Sequence, residues 1–344
     1  MDIGYSLRIG LAGVGRFGQL HASVLANLPG VQLAAIADPN SDSLRRVADR
    51  YGVATCYQDA MALIDDHSLD AVILATPDEL HASQAREAIA RGRHVFVEKP
   101  LAATWAEARG LQWLAAEAKL ILQAGLILRY ETSHRYLQQQ IVDGRFGQLV
   151  SIRCQRNCSR ASFASIADRI HTVHRTLIHD IDLLLWLSQS SASSVMALEY
   201  RDGPQLSPQG CFAMVKLANG CVGQLESSWY VPAQAPANVV SEHWHSCIDA
   251  ELDVVGTQRT AKLRGLDTPL QIWSDQDLQH PDVSLWPELG GAVSGALRDQ
   301  LLDFTNCVRS QHASSVANLA NAVESLRIAE AIMESARYSS VISL

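Results

Sequence analysis

The sequence predicts two domains of different fold class. Residues 1–126 are expected to form an α/β domain around a doubly wound parallel sheet, and residues 127–344 a second domain built on an open, mostly antiparallel β-sheet. Three observations predict this division. Short β-rich segments alternate with helical segments in the first part, strand-like segments follow one another after about residue 145, and helical periodicity returns near residue 296. A chain of 344 residues is long enough for two domains.

In the first part, strands and helices alternate as parallel pairing requires, because a parallel crossover needs a connection of helix length. The predicted strands are LRIGLAG (7–13), VQLAAIAD (31–38), DAVILAT (70–76), HVFVEKP (94–100) and KLILQAG (119–125). The predicted helices are RFGQLHASVLANL (16–28), SDSLRRVADRY (41–51, opened by Ser41), ELHASQAREAIARG (79–92) and TWAEARGLQWLAAEA (104–118).

The second part is predicted to be rich in antiparallel strands. Its strand-like segments are QLVSIRCQRN (148–157), SVMALEY (194–200), GCFAMVKLANGCVGQLESSWYV (210–231), CIDAELDVVGTQRTAKLRG (247–265) and LQIWSD (270–275). Within the third segment, Asn219 and Gly220 lie between two apolar runs, which is a strong hairpin signal. The segments 296–310 and 319–338 are predicted to be helices that pack back onto the fold.

Composition and charge favour a small-molecule partner. The chain is 48% hydrophobic and 19% charged, and its formal net charge of −8 comes without any run of Lys or Arg. Binding to nucleic acid or to a membrane surface therefore has little electrostatic support. We also expect neither a signal peptide nor a membrane span, because no segment has the required apolar length.

The cysteine pattern predicts a reducing, cytoplasmic location. The seven cysteines are odd in number and lack the paired spacing of a zinc site or a disulfide framework. We expect Cys154 and Cys158 to be buried structural thiols, and we expect no metal site.

A glycine-rich turn follows the first predicted strand. The segment GLAGVGRFG contains Gly13, Gly15 and Gly18 in the order G-x-G-x-x-G, between a strand and a helix. In this motif the first glycine allows a tight turn, the second lets a pyrophosphate approach the backbone, and the third lets the helix pack on the strand. Asp38 ends the second predicted strand about 20 residues further on, where a carboxylate can bind an adenosine ribose. Because this carboxylate would repel a 2′-phosphate, we predict NAD rather than NADP.

Three further segments carry a family resemblance. ATPDELH (75–81), GRHVFVEKPLA (92–102) and HDIDLLLWL (179–187) follow the glycine turn, and Glu-Lys-Pro after a strand is the most specific of these elements. With them the sequence resembles, nearly from end to end, the glucose–fructose oxidoreductase / inositol dehydrogenase / rhizopine-catabolism (Gfo/Idh/MocA) family. The resemblance implies a Rossmann domain that holds a nicotinamide cofactor and a second domain with an open antiparallel sheet.

The resemblance also implies roles for individual residues. Lys99, from Glu-Lys-Pro, is expected beside the nicotinamide and the substrate hydroxyl, His179 is expected to exchange the hydroxyl proton, and the Lys99–Pro100 peptide is expected to be cis. Together with the glycine motif, the expected cofactor-binding residues are Gly13, Gly15, Arg16, Phe17, Gly18, Asp38, Thr76, Pro77, His81, Glu98 and Lys99.

Elementary chemistry supports the same two catalytic residues. Removing hydride from a carbinol carbon leaves a carbonyl only if the hydroxyl proton departs, so a group that titrates near the working pH must contact that oxygen. Histidine is the natural candidate. An ammonium at Lys99, at the end of a parallel strand, can stabilise the developing alkoxide charge. The alternatives are a solvated loop cation at Lys99 and a helix-cap histidine at His179, with Asp180 and Asp182 stabilising a first helical turn.

One position departs from the family pattern. Relatives that act on cyclitols and many sugars usually carry an aspartate four residues before the histidine, where this chain has Arg175. On a helix, residues four apart share a face, so Arg175 would disfavour imidazolium at His179 and offer a fork for carboxylate or phosphate. We therefore expect an anionic substrate such as a uronate, a phosphosugar or a nucleotide sugar, with Arg156 and Arg175 binding it. The alternative is that Arg175 pairs with Asp180 or Asp182 and holds the helix.

The sequence thus predicts an NAD-dependent oxidoreductase that acts on a secondary hydroxyl or ketone of a sugar, cyclitol or sugar derivative. The alternatives are a keto-sugar-nucleotide reductase and a non-catalytic NAD-binding sensor, and the joint presence of Lys99 and His179 favours an enzyme. An exposed sheet face needs a cover, so we also expect a homodimer or homotetramer formed through the sheet of the second domain.

Overall fold

The chain divides into two compact units. The computed structural model describes residues 6–164, 166–241, 244–265, 270–273, 275 and 278–344. One unit comprises the residues up to Tyr130 together with Leu285–Val323, and the other comprises Glu131–Ser284 together with Glu324–Leu344. The division therefore differs from the contiguous domains expected at 1–126 and 127–344, because the segment Leu285–Val323 packs with the first unit.

The helices follow the predicted periodicity closely. The α-helices of the described residues are α1 (Arg16–Asn27), α2 (Ser41–Tyr51), α3 (Ala60–Ile64), α4 (His81–Ala90), α5 (Trp105–Ala118), α6 (Thr132–Val142), α7 (Arg160–Phe163), α8 (Ile178–Ser188), α9 (Gly295–Ser310) and α10 (Leu319–Tyr338). Short 3-10 helices cover Asp78–Leu80 and Ile127–Tyr130, and a π-helix covers Val173–Leu177. Among the described residues, no helix combines the length and the apolar character needed to cross a membrane.

The first unit contains a six-stranded parallel sheet, in the order β3-β2-β1-β4-β5-β6. Its strands are β1 (Leu7–Ala12), β2 (Val31–Ala37), β3 (Thr55–Tyr57), β4 (Ala71–Leu74), β5 (His94–Val97) and β6 (Leu122–Ala124). This order reverses beside β1, which is the arrangement of a doubly wound dinucleotide-binding sheet. The predicted parallel fold is confirmed.

Local signals explain where the helices begin. Helix α2 begins at Ser41 as expected, and the side chain of Asn40 caps it by accepting a hydrogen bond from Ser43 N at 2.9 Å. Thr104 and Glu107 form a capping box at the start of α5, in which each side chain accepts from the other residue's backbone N–H.

Helix α9 explains why the late segment joins the first unit. Phe304 of α9 is buried against Phe96 of β5, with ring centroids 5.6 Å apart. The hydroxyl of Tyr130 donates to the Asp303 carboxylate at 2.6 Å, and burial together with that carboxylate raises the pKa of Tyr130. An amphipathic helix buries its apolar face on whichever sheet complements it, and here that sheet is the parallel one.

The second unit contains a seven-stranded sheet, in the order β14-β13-β7-β10-β9-β8-β19. The strands after β6 are β7 (Leu149–Ser159), β8 (Ala192–Tyr200), β9 (Gly210–Leu217), β10 (Val222–Val231), β11 (Val239–Ser241), β12 (Trp244–Ser246), β13 (Ile248–Gly256), β14 (Thr260–Gly265), β15 (Ile272–Trp273), β16 (Leu278–Gln279), β17 (Glu288–Leu289), β18 (Ala292–Val293) and β19 (Ile342–Ser343). All pairings within the seven-stranded sheet are antiparallel except β7 with β10. The mostly antiparallel sheet is therefore confirmed.

The hairpin signal at Asn219 and Gly220 is also confirmed. Gly220 has a φ of +88° and its N–H donates to Leu217 O at 3.0 Å, which closes the turn between β9 and β10. Of the segment LQIWSD, Ile272–Trp273 form a strand of a separate hairpin, and Ser274 lies outside the described residues.

Candidate active site

The three glycines of the first turn have different environments, and each environment matches the expected role. Gly13 has a φ of +87°, and a Cβ there would collide with the Ala75 carbonyl oxygen. A Cβ on Gly18 would collide with the carbonyl oxygen of Gly13. Gly15 is exposed, and among the described residues nothing lies within 4 Å of the place where its Cβ would be. The second glycine therefore faces open space, whereas the others allow close backbone approach.

Helix α1 begins directly after Gly15. Within the described chain, no side chain caps this helix and no acidic residue lies in its first turn. The backbone N–H groups of that turn are therefore available to an anion, and the helix dipole favours one. Arg16, the first helical residue, is exposed, and Phe17 packs edge-on against His21 with centroids 5.3 Å apart.

Asp38 lies at the end of β2, beside this turn. Its Oδ2 accepts a hydrogen bond from Val14 N at 2.9 Å, and its Oδ1 accepts from Asn40 N at 2.9 Å. Each carboxylate oxygen can accept a second hydrogen bond, so Asp38 can also receive ribose hydroxyls. The open space at Gly15, the uncapped helix and this carboxylate together fit a dinucleotide without a 2′-phosphate.

The loop after β4 is held by two polar side chains. Thr76 Oγ1 donates to Gln84 Oε1 at 2.6 Å, and Pro77 is exposed. His81 is only 1% exposed at the start of α4, with Nε2 2.9 Å from Thr76 O and Nδ1 2.7 Å from Pro100 O. His81 therefore contacts loop backbone with both ring nitrogens.

The Glu-Lys-Pro segment follows β5, and the Lys99–Pro100 peptide is cis, as the resemblance implied. Glu98 Oε1 lies 2.9 Å from His21 Nε2, and Glu98 Oε2 accepts from the backbone N–H of Lys99 at 3.2 Å. His21 is completely buried in α1. The carboxylate of Glu98 thus faces the interior of its own unit and holds the backbone of the half-buried Lys99.

In the second unit, His179 lies on a helix that includes the residues before it, as expected. The π-helix Val173–Leu177 runs directly into α8, and Thr172 already has helical dihedral angles. Asp180 is therefore not in a free first turn, which corrects the dipole explanation for it. The π-turn also changes the side-chain spacing between the half-buried Arg175 and His179, because its hydrogen bonds link residues i and i+5. Irregular helical turns of this kind are frequent at functional sites.

Asp180 is held by Arg156. Arg156 donates from Nε and Nη2 to the two oxygens of Asp180, at 3.0 and 2.8 Å, and both residues are buried. Burial alone would lower the pKa of Arg156, but the Asp180 carboxylate overrides burial and raises it. Asp180, one of the two carboxylates considered as a partner of Arg175, is thus bound by Arg156. The substrate contact expected of Arg156 stays a prediction.

A second buried acid–base pair lies on α6. Glu131 accepts from His134 through both its backbone N–H, at 2.9 Å, and its Nδ1, at 2.7 Å. Burial opposes ionisation of Glu131, yet the hydrogen bond and the charge of His134 outweigh it and lower the pKa of Glu131 to about 2. Sequence reasoning missed this pair, although Glu and His three residues apart at a helix start are a detectable signal.

Buried hydroxyl groups support the π-helix from behind. Thr176 Oγ1 donates to Thr172 O at 2.9 Å, and the indole Nε1 of Trp229 donates to Thr172 Oγ1 at 3.0 Å. The adjoining His171 is nearly buried, with its Nε2 3.1 Å from Glu199 Oε1. Burial would raise the pKa of Glu199, but His171 and Arg201 lower it. This polar support anchors the irregular turn that precedes His179.

Matches to models of known protein families identify the family of this chain. The model of the Gfo/Idh/MocA oxidoreductase family with an NAD-binding Rossmann fold matches residues 7–126, and the model of that family's C-terminal alpha/beta domain matches residues 138–344. The chain belongs to the Gfo/Idh/MocA family. Its glycine turn and Asp38 are therefore part of an NAD-binding Rossmann domain.

Several named dehydrogenases are similar to this chain. A 4-carboxy-2-hydroxymuconate-6-semialdehyde dehydrogenase of Sphingobium is 37% identical over 138 residues, which are 40% of this chain and 44% of the relative. An inositol 2-dehydrogenase/D-chiro-inositol 3-dehydrogenase of Halalkalibacterium halodurans is 32% identical over 55% of both chains. The chain thus spans about half the length of these relatives. An inositol 2-dehydrogenase of Burkholderia cenocepacia is 27% identical over 92% of this chain and 97% of the relative.

Solved structures of the same family have the same fold. Myo-inositol 2-dehydrogenase from Lactobacillus plantarum superposes with a TM-score of 0.82 at 23% identity, over 98% of this chain and 99% of the other. Scyllo-inositol dehydrogenase from Lactobacillus casei, with bound NAD(H) and scyllo-inositol, gives a TM-score of 0.79 at 19% identity, over 98% and 99% of the two chains.

Proposed function

We propose that this chain is an NAD-dependent dehydrogenase that acts on a secondary hydroxyl, or the corresponding ketone, of a sugar, cyclitol or sugar derivative. The observation that carries the proposal is the open space at Gly15 before an uncapped helix, with Asp38 beside it. The inositol dehydrogenases among the relatives support the substrate class.

Two side chains perform the chemistry in this proposal. NAD, when bound, supplies the acceptor for the hydride. His179 takes the hydroxyl proton, because imidazole titrates near neutral pH. The ammonium of Lys99 stabilises the alkoxide charge that develops on the same oxygen. Glu98 accepts a hydrogen bond from the backbone N–H of Lys99 and so orients that residue.

Arg175 supports an anionic substrate. It stands where relatives that act on neutral cyclitols usually carry an aspartate, and a guanidinium offers two parallel donors to a carboxylate or phosphate. The name of the Sphingobium relative also denotes a carboxylated compound. The competing role for Arg175 is to stabilise its own helix, and a substrate panel separates the two.

Two other functions remain as alternatives. A keto-sugar-nucleotide reductase would use the same residues in the opposite direction, and it would turn over nucleotide sugars in preference to free polyols. A non-catalytic NAD sensor would bind the cofactor without needing a proton acceptor. Lys99 and His179 favour an enzyme, since a sensor has no need of a proton relay.

The deciding experiment follows NADH absorbance with a panel of neutral polyols, uronates, phosphosugars and nucleotide sugars. Lys99→Met and His179→Asn are each expected to lower kcat by at least about a hundredfold, the size typical of general acid–base groups, while NAD affinity survives. Lys262→Met and His312→Asn, at exposed positions, are matched controls. Full activity in Lys99→Met would refute the proposal, and faster turnover of neutral polyols than of all anionic substrates would refute the role of Arg175.

We further propose a homodimer or homotetramer formed through the exposed face of the seven-stranded sheet. Leu198, Phe212 and Met214 lie on neighbouring strands β8 and β9 with 57%, 42% and 46% of their surfaces exposed. Contiguous exposed apolar side chains on a sheet favour association. A cytoplasmic location is also proposed, because all seven cysteines are free thiols.

A further inference from the structure

His81 has an arrangement that neither cofactor binding nor packing alone requires. It is the first residue of α4 and is 1% exposed. Its Nδ1 lies 2.7 Å from Pro100 O, and its Nε2 lies 2.9 Å from Thr76 O. One buried ring therefore joins two loops that follow neighbouring strands of the parallel sheet, β4 and β5.

Both partners of the ring are carbonyl oxygens, which can only accept hydrogen bonds. Each ring nitrogen lies within hydrogen-bond distance of one carbonyl oxygen, 2.7 Å for Nδ1 and 2.9 Å for Nε2. An N–H at either nitrogen therefore meets a backbone acceptor, one in each loop.

The two carbonyl groups belong to segments with different tasks. Thr76 follows Ala75, whose carbonyl oxygen is the atom that a Cβ on Gly13 would strike, so this loop packs directly on the glycine turn. Pro100 follows Lys99, the proposed alkoxide-stabilising residue. The ring thus connects the backbone beside the phosphate-binding turn to the backbone that carries Lys99.

We propose that His81 is a positioning residue that sets Lys99 relative to the glycine turn, with each ring nitrogen serving one loop. Nε2 holds the Thr76 loop against the glycine turn and so supports NAD affinity. Nδ1 holds Pro100 and so supports the placement of Lys99 and the rate of turnover. The second half of this proposal rests on the proposed function of Lys99, whereas the first half does not.

Two substitutions of His81 separate the contributions of its two ring nitrogens. The amide nitrogen of asparagine is as many bonds from Cα as Nδ1 of histidine, and the amide nitrogen of glutamine matches Nε2. His81→Asn is expected to keep the bond to Pro100 O and lose the bond to Thr76 O. His81→Gln is expected to do the reverse. His94→Asn is the matched control, because His94 lies at the opposite end of β5 and its Nδ1 accepts from Ile121 N at 2.9 Å, which the amide oxygen of asparagine can replace.

The test measures NAD affinity by calorimetry, backbone hydrogen exchange by mass spectrometry, and kcat. For His81→Asn we expect the Kd for NAD to rise about tenfold, the equivalent of one net hydrogen bond, with faster exchange at 75–80 and unchanged exchange at 98–102. For His81→Gln we expect faster exchange at 98–102, a Kd within about twofold of the unsubstituted chain, and a kcat lower by about tenfold. His94→Asn should change none of these quantities.

Identical behaviour of the two variants would overturn the proposal, and so would unchanged exchange in both loops, because a purely structural histidine does not separate the loops. Hydrogen exchange and NAD affinity do not depend on turnover. If Lys99→Met proves fully active, the proposed function fails while the exchange data still decide the role of His81.

Discussion

Arg156 on β7 donates two parallel hydrogen bonds to the carboxylate of Asp180 on α8, at 3.0 and 2.8 Å. Asp180 immediately follows His179 in the chain, so the ion pair holds the helical turn that carries the proposed proton acceptor. Ser227 on β10 donates to the backbone carbonyl of Arg156 at 2.9 Å and ties the pair to the centre of the sheet. The pair therefore links the position of His179 to the antiparallel sheet beneath it.

Removing one partner of this ion pair should lower the free energy of unfolding more than removing both partners. Arg156→Ala leaves a buried carboxylate without its partner and is expected to lower the free energy of unfolding by about 3–5 kcal/mol. The double variant Arg156→Met/Asp180→Leu removes both charges and should recover most of that loss. Urea unfolding of the three chains measures the difference. Equal stability of Arg156→Ala and the unsubstituted chain would contradict the pairing.

Substitutions in the glycine turn should affect stability and cofactor binding separately. Gly15→Ala should leave the melting temperature unchanged, because the added methyl group enters open space and φ is −66°. In this motif the pyrophosphate approaches the backbone through that space, and the methyl group would obstruct it. The Kd for NAD should therefore rise by at least about tenfold. Gly13→Ala is the contrasting variant. Its collision with Ala75 and its positive φ should lower the melting temperature itself.

The charge of Asp38 should control the choice between NAD and NADP. Asp38→Asn keeps an oxygen that can accept from Val14 N but removes the negative charge that would face a 2′-phosphate. We expect the preference for NAD over NADP, measured as a ratio of Kd values, to fall by about tenfold or more. Asp42→Asn, at an exposed position on α2, is the charge-matched control and should not alter the ratio.

Glu131 should contribute stability that depends on pH. The pKa of Glu131 is lowered from 4.5 to about 2 in the folded chain. The ionised carboxylate therefore contributes its full stabilisation at pH values above about 4.5, the pKa of the group in the unfolded chain. That contribution, about 3 kcal/mol, should be lost as the pH falls from about 4.5 towards 2. The stability difference between the unsubstituted chain and Glu131→Gln should therefore shrink on acidification. A difference that stays constant with pH would refute this assignment.

The exposed face of the second sheet gives a test of assembly. Met214→Lys places a charge among Leu198 and Phe212 and should reduce the mass of the particle in solution, measured by light scattering, to that of a smaller assembly. Trp113→Lys is the control, since Trp113 is 62% exposed on α5 in the other unit. If both variants keep the mass of the unsubstituted protein, the sheet face is not the contact.

Features that depend on neighbouring residues were predictable. The strand, glycine turn and helix at residues 7–27 follow from periodicity and from the conformations open to glycine, and the hairpin at Gly220 follows from a short local signal. Helical structure around Arg175 and His179 was expected, whereas the π type of the turn at Val173–Leu177 was not. That π-helix depends on buried hydroxyl contacts such as Trp229 with Thr172, which come from distant segments.

By itself, then, the sequence determined the two sheet types and the dinucleotide turn, and it supplied Lys99 and His179 as the candidate catalytic residues. Only the tertiary structure decided which partners those segments have: Arg156 for Asp180, His21 for Glu98, and the parallel sheet for α9. The physical reason is range. Backbone propensity and hydrophobic period act within a few residues, whereas a buried charge or an apolar helix face is satisfied by whatever the chain topology brings beside it.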